Sequence, residues 1–348
     1  MTEKELENIR FLPGDFELVG AAEESHTDKV YESIGFWREA FVRFRRNIGA
    51  VTGLVIILCI IAMAAIGPVM SAYTYNSQRI SEQNFAPRIK ALEKWGIFDG
   101  SETMQMSRGT KEVNRYKEKN LPDTYYWFGS DTLGRDIFTR TWTGTRISLY
   151  IALVAVIVDM LFGLSYGLIS GYFGGKTDMI MQRFVEVVNG IPNLVIVTLL
   201  IIVMKPGLST ITFALMITGW IGMSRIARAQ MLKLKEQEFV LASRTLGAPN
   251  LFIIFREILP NIFGQLLTNT MFSIPNAIFT EAFLAFIGLG VPAPMASLGS
   301  LISEAFKSFT THPYMIIFPT VVLALLMLSF NLLADGLRDA IDPTLRDR

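Results

Sequence analysis

Six long stretches of the sequence are almost free of charged residues, and this limits what the chain can fold into more than any other feature. An α-helix of about 20 residues crosses the roughly 30 Å hydrocarbon core of a bilayer. Hydrocarbon offers no partner for open backbone groups and the stretches lack the alternation of barrel strands, so each is predicted to be helical. The predicted spans are 47–70, 147–175, 187–204, 206–224, 261–280 with an extension past Glu281 to 288, and 313–334.

The overall composition agrees with a membrane protein. Hydrophobic residues make up 51% of the 348 residues, and the mean hydropathy is +0.39. The 32 basic and 31 acidic residues balance, and the basic ones fall in short clusters between apolar stretches, so nucleic-acid binding is not expected. The lone cysteine, Cys59, lies inside a predicted span and can form neither an internal disulfide nor a metal cluster.

The distribution of lysine and arginine predicts which side of the membrane each loop faces. Short cytoplasmic loops are enriched in these residues. With the N-terminus inside, the short outer loops hold only Lys205 and Lys307, so both termini are predicted to be cytoplasmic. The predicted segments are 1–46 (cytoplasmic), 47–70 (first span), 71–146 (external insert), 147–334 (the other five spans, with an inner loop at 225–260) and 335–348 (cytoplasmic tail).

Three carboxylates lie within or at the edges of the predicted spans: Asp159, Glu186 and Glu281. Intramembrane carboxylates are candidates for ion coupling, so a secondary transporter driven by an ion gradient is one alternative. Against it, no inverted repeat or pair of broken helices is evident, and such a transporter gives the large inner loop no purpose. We expect Asp159 to hydrogen-bond within the bundle and the two glutamates to lie at interfaces.

A stripe of glycines recurs every four residues along the second predicted span, at Gly163, Gly167, Gly171 and Gly175. Such a stripe predicts a smooth helix face on which another helix packs closely. Around Ser165 the same stretch fits the GxSxG pattern of serine hydrolases, but neither His26 nor His312 has a triad context. We therefore predict helix packing, no catalytic residue and no enzyme activity in this chain.

The inner loop is too polar to span a membrane and too apolar for a plain linker. From 238 to 261 it reads EFVLASRTLGAPNLFIIFREILPN. Small residues let a helix lie flush in a partner's groove, glycine permits a sharp turn, and proline sets the start of the next helix. The loop resembles the EAA loop by which membrane subunits of ATP-binding-cassette importers dock on the ATPase, although Leu241 stands where the motif has glutamate. The candidate docking residues are Glu238, Leu241, Ala242, Ser243, Arg244, Gly247 and Pro260.

Further segments strengthen this resemblance. They are FGSDTLGRDIFTR at 128–140 with GTRISL at 144–149, GLGVP at 288–292 with Leu298, Gly299 and Glu304, and NLLADGLRDAIDP at 331–343. These are similar to segments of the C-type permease subunit of dipeptide and oligopeptide importers. Asp178, Arg183 and Glu186 also follow the pattern of that family.

The resemblance implies an all-α membrane protein with the type I importer fold, made of five core helices and an added first helix. It implies a B-type sister permease that dimerises with this chain around a central pathway, two ATPase subunits inside that bind ATP and Mg²⁺, and an extracytoplasmic peptide-binding protein outside. The substrate would be a peptide, and this chain would hold no cofactor or metal. Its place would be the cytoplasmic membrane of a bacterium, and the long form of the sequence is nearest to Gram-positive relatives.

The pathway implied by the resemblance would be lined by faces of spans three, four and five, with contacts to the peptide backbone. Pro192, which follows Gly190 and Ile191, predicts a bent helix, and methionine side chains adapt to varied ligands. Ordinary helix packing is the alternative for each candidate, and import of a nickel chelate or another small solute is the alternative for the substrate. The candidate pathway residues are Asn189, Pro192, Met216, Met223 and Asn269.

Overall fold

The apolar stretches form long helices. In a computed structural model that describes residues 36–106 and 109–341, five helices are long and apolar enough to cross a membrane, and a sixth crossing exists if one bent helix pair counts as one span. This confirms the prediction of a helical membrane protein, although the all-α description omits one two-stranded hairpin in the insert. Most of the predicted N-terminal segment, the pair 107–108 and the tail from Asp342 and Pro343 onward lie outside the described residues.

The elements follow in chain order. Helices α1 (Phe36–Arg46) and α2 (Ile48–Met70) precede strands β1 (Ser101–Met106) and β2 (Gly109–Asn114) and a short helix α3 (Arg115–Glu118). The remaining helices are α4 (Ile137–Val158), α5 (Leu164–Phe173), α6 (Gly175–Asn189), α7 (Asn193–Met204), α8 (Leu208–Thr218), α9 (Trp220–Leu234), α10 (Glu238–Thr245), α11 (Asn250–Phe252), α12 (Leu259–Leu284), α13 (Leu298–Phe306) and α14 (Tyr314–Ile341).

Helix α4 begins before the apolar stretch that predicts it. Hydropathy places the start of the span at position 147, whereas the helix starts at Ile137, where the Asp136 side chain accepts a hydrogen bond from the Thr139 backbone N–H. Thr139 and Arg140 are polar, yet each is only 1% exposed. Because these side chains pack against protein, an apolar window cannot find this end of the helix.

The glycine stripe packs as predicted on α9. A π-helical turn, Asp159–Gly163, joins α4 to α5. A Cβ atom at Gly167 would lie 2.3 Å from the Ser224 carbonyl oxygen, and Cβ atoms at Gly163 and Gly171 would lie 2.7 Å and 2.8 Å from atoms of α9. Gly175, in contrast, has open space around it. Three of the four predicted glycines therefore make the close contact between the two helices.

The third predicted span is broken. Helices α6 and α7 meet at 75° across the three residues that separate them. Pro192 has a ψ of 131° and no backbone N–H, so one helix ends before it and the next begins after it. The bend predicted at Pro192 is present, and the polar helix α6 extends the element back to Gly175.

Helix α2 packs lengthwise against α14. A Cβ at Gly53 would lie 2.7 Å from the Ser329 carbonyl oxygen, and one at Gly336 would lie 2.1 Å from the Ala50 Cβ. Contacts this close require glycine on one of the two helices. Helix α2, the first predicted span, is therefore an integral part of the bundle.

The insert between α2 and α4, residues 71–136, has a small core of its own. Phe85, Tyr116 and Tyr126 are buried together, and Tyr73 stacks on Tyr126 with ring centroids 4.4 Å apart. Strands β1 and β2 pair in antiparallel register. These contacts make the insert a folded unit, and its last residue caps α4.

Candidate functional site

The inner loop folds into a helical turn at one end of the bundle. Helix α10 is followed by a reversal at Gly247, whose φ of +82° is left-handed and suits glycine. A π-helical turn, Ile253–Ile258, then leads into α12, which has Pro260 in its first turn. The features expected of Gly247 and Pro260 are present in the backbone.

One face of α10 is fixed to the bundle. Val240 is completely buried in a cluster that includes Ile253 and Ile254 and side chains of α5, α9 and α12. The Ser243 hydroxyl donates a hydrogen bond of 2.5 Å to Glu257 Oε1. The inner loop therefore cannot swing freely on its neighbours.

The other face of α10 is open. Glu238, Leu241, Ala242 and Arg244 are exposed, and Leu246, just after the helix, is 87% exposed. Leu251 and Phe255 add further exposed apolar area along the same loop. We call this the docking face, defined by Glu238, Leu241, Ala242, Arg244, Leu246, Leu251 and Phe255. An apolar surface among polar residues is typical of a contact with another protein.

An ion pair links α6 to α9 beside this loop. Arg228 Nε donates to Asp178 Oδ1 at 2.6 Å, and the Ser170 hydroxyl donates to the same carboxylate. Glu186 instead pairs with Arg183 at 2.7 Å on the surface, where both side chains are more than half exposed. Among Asp178, Arg183 and Glu186, Asp178 is thus the one that ties two helices together.

The candidate pathway residues fall into two groups. Asn189 and Pro192 are exposed at the bend between α6 and α7, and Met216 and Asn269 are half-exposed on α8 and α12. Met223 differs, because it is 3% exposed and its Cβ lies against Gly163. In this conformation Met223 is part of the α5–α9 contact, so it lines no open surface.

A largely buried cluster of charges joins the insert to α4 and α13. We call it the charge cluster, and its members are Asp131, Arg135, Arg140 and Glu304. Arg135 Nε donates to Asp131 Oδ2 at 2.6 Å, and its Nη2 reaches Glu304 Oε2 at 2.8 Å. Arg140 Nη1 donates to Asp131 Oδ2 at 2.6 Å and to Glu304 Oε2 at 2.9 Å. The two positive charges and two negative charges balance.

A second contact fastens the hairpin of the insert. His312 Nδ1 lies 2.9 Å from both carboxylate oxygens of Glu102, and both side chains are more than nine-tenths buried. Asp136 is the residue after Arg135 of the charge cluster. Burial raises the pKa of the Asp136 carboxyl group, and hydrogen bonds from Thr139 and Ser71 offset part of that rise. The insert, α13 and the start of α14 are therefore held together by buried polar contacts.

Comparison with known families decides the class of the chain. Residues 163–347 match the model of the binding-protein-dependent transport system inner membrane component. The chain belongs to this permease family. Residues 35–87 also match the model of the N-terminal TM domain of oligopeptide transport permease C. The resemblance seen in the sequence motifs is thereby confirmed.

Relatives of this permease align over nearly its whole length. The oligopeptide transport system permease protein OppC of Bacillus subtilis is 42% identical over 327 residues, which cover 94% of this chain and 96% of that protein. The dipeptide transport system permease protein DppC of the same species is 38% identical over 346 residues, or 99% and 97% of the two chains. The chain is therefore a multi-pass membrane permease of the ABC importer type.

A solved structure shares the fold of the permease. A chain of the inward-facing MetNI methionine ABC transporter superposes with a TM-score of 0.50 at 17% identity, over 58% of this chain and 96% of that one. At such identity the likeness is one of fold. It confirms the type I importer permease fold for the helical part of the chain.

The inner loop of this permease is recognisable from its sequence, whereas the roles of its clustered charges are not. The motif at 128–140 and Glu304 are recognisable as similar segments, yet no periodic pattern indicates that Arg140 meets Glu304. The one available signal is the density of charges in a short stretch beside an apolar span. Asp159, expected to hydrogen-bond within the bundle, and Glu281, expected at an interface, are both buried inside this chain.

Proposed function

We propose that the chain is one of two membrane-spanning subunits of an ATP-driven importer that moves oligopeptides or dipeptides across the cytoplasmic membrane. The observation that carries the proposal is the docking face. It exposes apolar side chains at a polar end of the bundle while Val240, on the opposite side of the same helix, is fixed in the core. If a partner bound to the docking face moves, α10 moves with it and displaces the helices that pack around Val240.

The partners follow from the family. A B-type sister permease completes the pathway, two ATPase subunits bind ATP and Mg²⁺ and contact the docking face, and an extracytoplasmic peptide-binding protein delivers the substrate. This chain performs no hydrolysis. Its peptide substrate is supported by the 42% and 38% identity to OppC and DppC of Bacillus subtilis, which also supports a Gram-positive source. Both termini are proposed to be cytoplasmic, on the same side as the inner loop.

The mechanism needs a contact that differs between two states. Closure of the ATPase dimer moves α10 as a rigid body, and the spans behind it rock between inward and outward openings. Small Ala242 lets the helix lie close in a groove, and Gly247 supplies the left-handed turn after it. The bend at Asn189 and Pro192, together with Met216 and Asn269, is proposed to line the pathway.

The test is substitution on the docking face. Ala242→Arg places a long cation on that face, and Gly247→Pro imposes a φ near −65° where the chain has +82°. Both variants should insert in the membrane, lose co-purification of the ATPase subunits and abolish peptide uptake. Ala72→Arg, the same change at an exposed alanine of the insert, is the matched control and should retain the ATPases. Normal uptake by Ala242→Arg and Gly247→Pro contradicts the docking assignment.

A further inference from the structure

One loop of the insert carries three exposed apolar side chains close together. Residues 89–98 are closed at the neck, where the Ile89 backbone N–H donates to the Phe98 carbonyl oxygen at 2.9 Å. Trp95 is 75% exposed, and Ile97 and Phe98 are exposed as well. We call residues 89–98 the aromatic loop. Clustered apolar side chains on a protein surface mark a contact with a partner or a membrane.

The backbone of the aromatic loop holds a defined shape. Gly96 and Phe98 have left-handed φ angles of +69° and +52°. This conformation is routine for glycine, but it costs free energy in phenylalanine. The surrounding structure maintains it, because Arg88 and Asp99 pair as an antiparallel bridge at the base of the loop. The exposed side chains therefore project from a fixed support.

The position of Phe98 gives the depth of the loop relative to the membrane. Its ring centroid lies 6.0 Å from that of Phe318, which stacks on Phe128 at 4.0 Å. The part of α14 from Tyr314 to Ala334 has no charged residue and is about 30 Å long, the thickness of the hydrocarbon core. Phe318 lies one helical turn, about 6 Å, inside this length. The aromatic loop therefore reaches the depth at which α14 enters lipid.

Lipid is the neighbour that this position favours. Ile317, next to Phe318, begins an exposed apolar face of α14 that continues through Val321 and Leu328. The aromatic loop thus adjoins an apolar face of a membrane-spanning helix. A water-soluble protein has no access to the depth of the hydrocarbon, so such a partner does not account for the position of Phe98 beside this helix.

The charges of the aromatic loop fit a lipid head group. Lys90 and Lys94 are exposed, whereas the one carboxylate of the loop, Glu93, accepts a hydrogen bond of 2.8 Å from Arg88 Nη2. The loop therefore presents positive charge beside its apolar side chains. Tryptophan is enriched at the membrane–water interface, and lysine extends its ammonium group to the head groups there.

We propose that the aromatic loop anchors the insert to the bilayer. Trp95, Ile97 and Phe98 insert into the leaflet on the insert side of the membrane. Lys90 and Lys94 bind phosphate groups of the lipid head groups. The insert is then held by lipid at this loop and by the charge cluster where it meets α4 and α13. The proposal requires that the chain spans a membrane, and it is independent of the substrate and of the ATPase subunits.

The first test places an environment-sensitive fluorophore, nitrobenzoxadiazole, on the full-length chain in phosphatidylcholine nanodiscs. In a Cys59→Ser background, the label on Ile97→Cys should emit at shorter wavelength than the label on Glu118→Cys, an exposed residue of the insert outside the loop. A lipid nitroxide near the top of the acyl chain should quench about half of the emission at position 97, since interfacial anchors lie about 5–10 Å deep. The label on Glu118→Cys should keep its emission.

Trp95→Cys, labelled in the same way, is the second variant and should behave like Ile97→Cys. Equal emission wavelengths at positions 97 and 118, or no quenching at either loop position, overturn the proposal. A label that becomes shielded only after an extracytoplasmic binding protein is added also overturns it, because the loop is then a site for a protein.

The second test addresses the lysines. At constant nitroxide content, phosphatidylglycerol in the nanodiscs should increase the quenching at position 97, because its negative head group attracts the loop. Lys90→Gln combined with Lys94→Gln should remove that increase and leave the quenching in phosphatidylcholine nearly unchanged. Quenching that does not respond to phosphatidylglycerol in the chain with both lysines contradicts the binding of head-group phosphates.

Discussion

Arg140→Met removes one guanidinium from the charge cluster and leaves two carboxylates to share Arg135. The Arg140 side chain is 1% exposed and that of Asp131 is 11% exposed, so water does not replace the bond that Asp131 loses. Met keeps most of the side-chain volume, and the change is therefore mainly one of charge.

The expected loss is about 3 kcal/mol. Removing one partner of a buried ion pair costs about 3–5 kcal/mol. Two features place this case at the low end of that range. The Glu304 side chain is 40% exposed, so solvent screens its charge. Asp131 also accepts hydrogen bonds of 2.9 Å from the backbone N–H groups of Leu133 and Arg135, which stabilise its charge without Arg140.

The assay is thermal and chemical unfolding of the purified chain in detergent. Arg183→Met is the matched control, because Arg183 forms an ion pair with Glu186 that is largely exposed and should contribute less than about 1 kcal/mol. The double variant Arg140→Met with Glu304→Gln restores charge balance and should recover about 1 kcal/mol of the loss. A loss below about 1 kcal/mol for Arg140→Met, or strict additivity in the double variant, refutes the role assigned to the cluster.

Three further outcomes are expected. Gly167→Ala should destabilise the chain by about 1–3 kcal/mol, because the added methyl group overpacks against α9. Gly222 is a helical glycine with open space around it, so Gly222→Ala should stabilise the chain slightly. Equal melting temperatures for the two variants would contradict this packing. Gly247→Ala should cost about 1–2 kcal/mol in the same assay through backbone strain alone, since nothing lies near its side-chain position. His312→Phe leaves the buried Glu102 carboxylate without its ring partner, and amide hydrogen exchange should accelerate in β1 and β2 but not in α2.

The parts of the fold set by local pattern are predictable from the sequence. The first predicted span, 47–70, matches α2 to within one residue, and the last, 313–334, lies in α14 except for Pro313, because long apolar runs in a membrane have one backbone solution. The glycine stripe and the bend at Pro192 also follow from the chemistry of single residues. Each of these features depends on neighbours in the chain.

The parts set by tertiary contact are not predictable in this way. Arg140 and Glu304 are far apart in the sequence, and no hydropathy or spacing rule pairs them. The early start of α4 has the same cause, since its polar first turns are buried by the insert. Met223 lies against Gly163 in this structure, and what a methionine side chain faces depends on which helix lies opposite.

The cluster around Val240 has a mechanical consequence. It contains side chains from α5, α9, α10 and α12 and from the π-helical turn between them, and the glycine contacts leave no gap between α5 and α9. Close-packed apolar interiors have low compressibility. A force applied to α10 should therefore displace several helices together, which is what the proposed coupling to a partner requires.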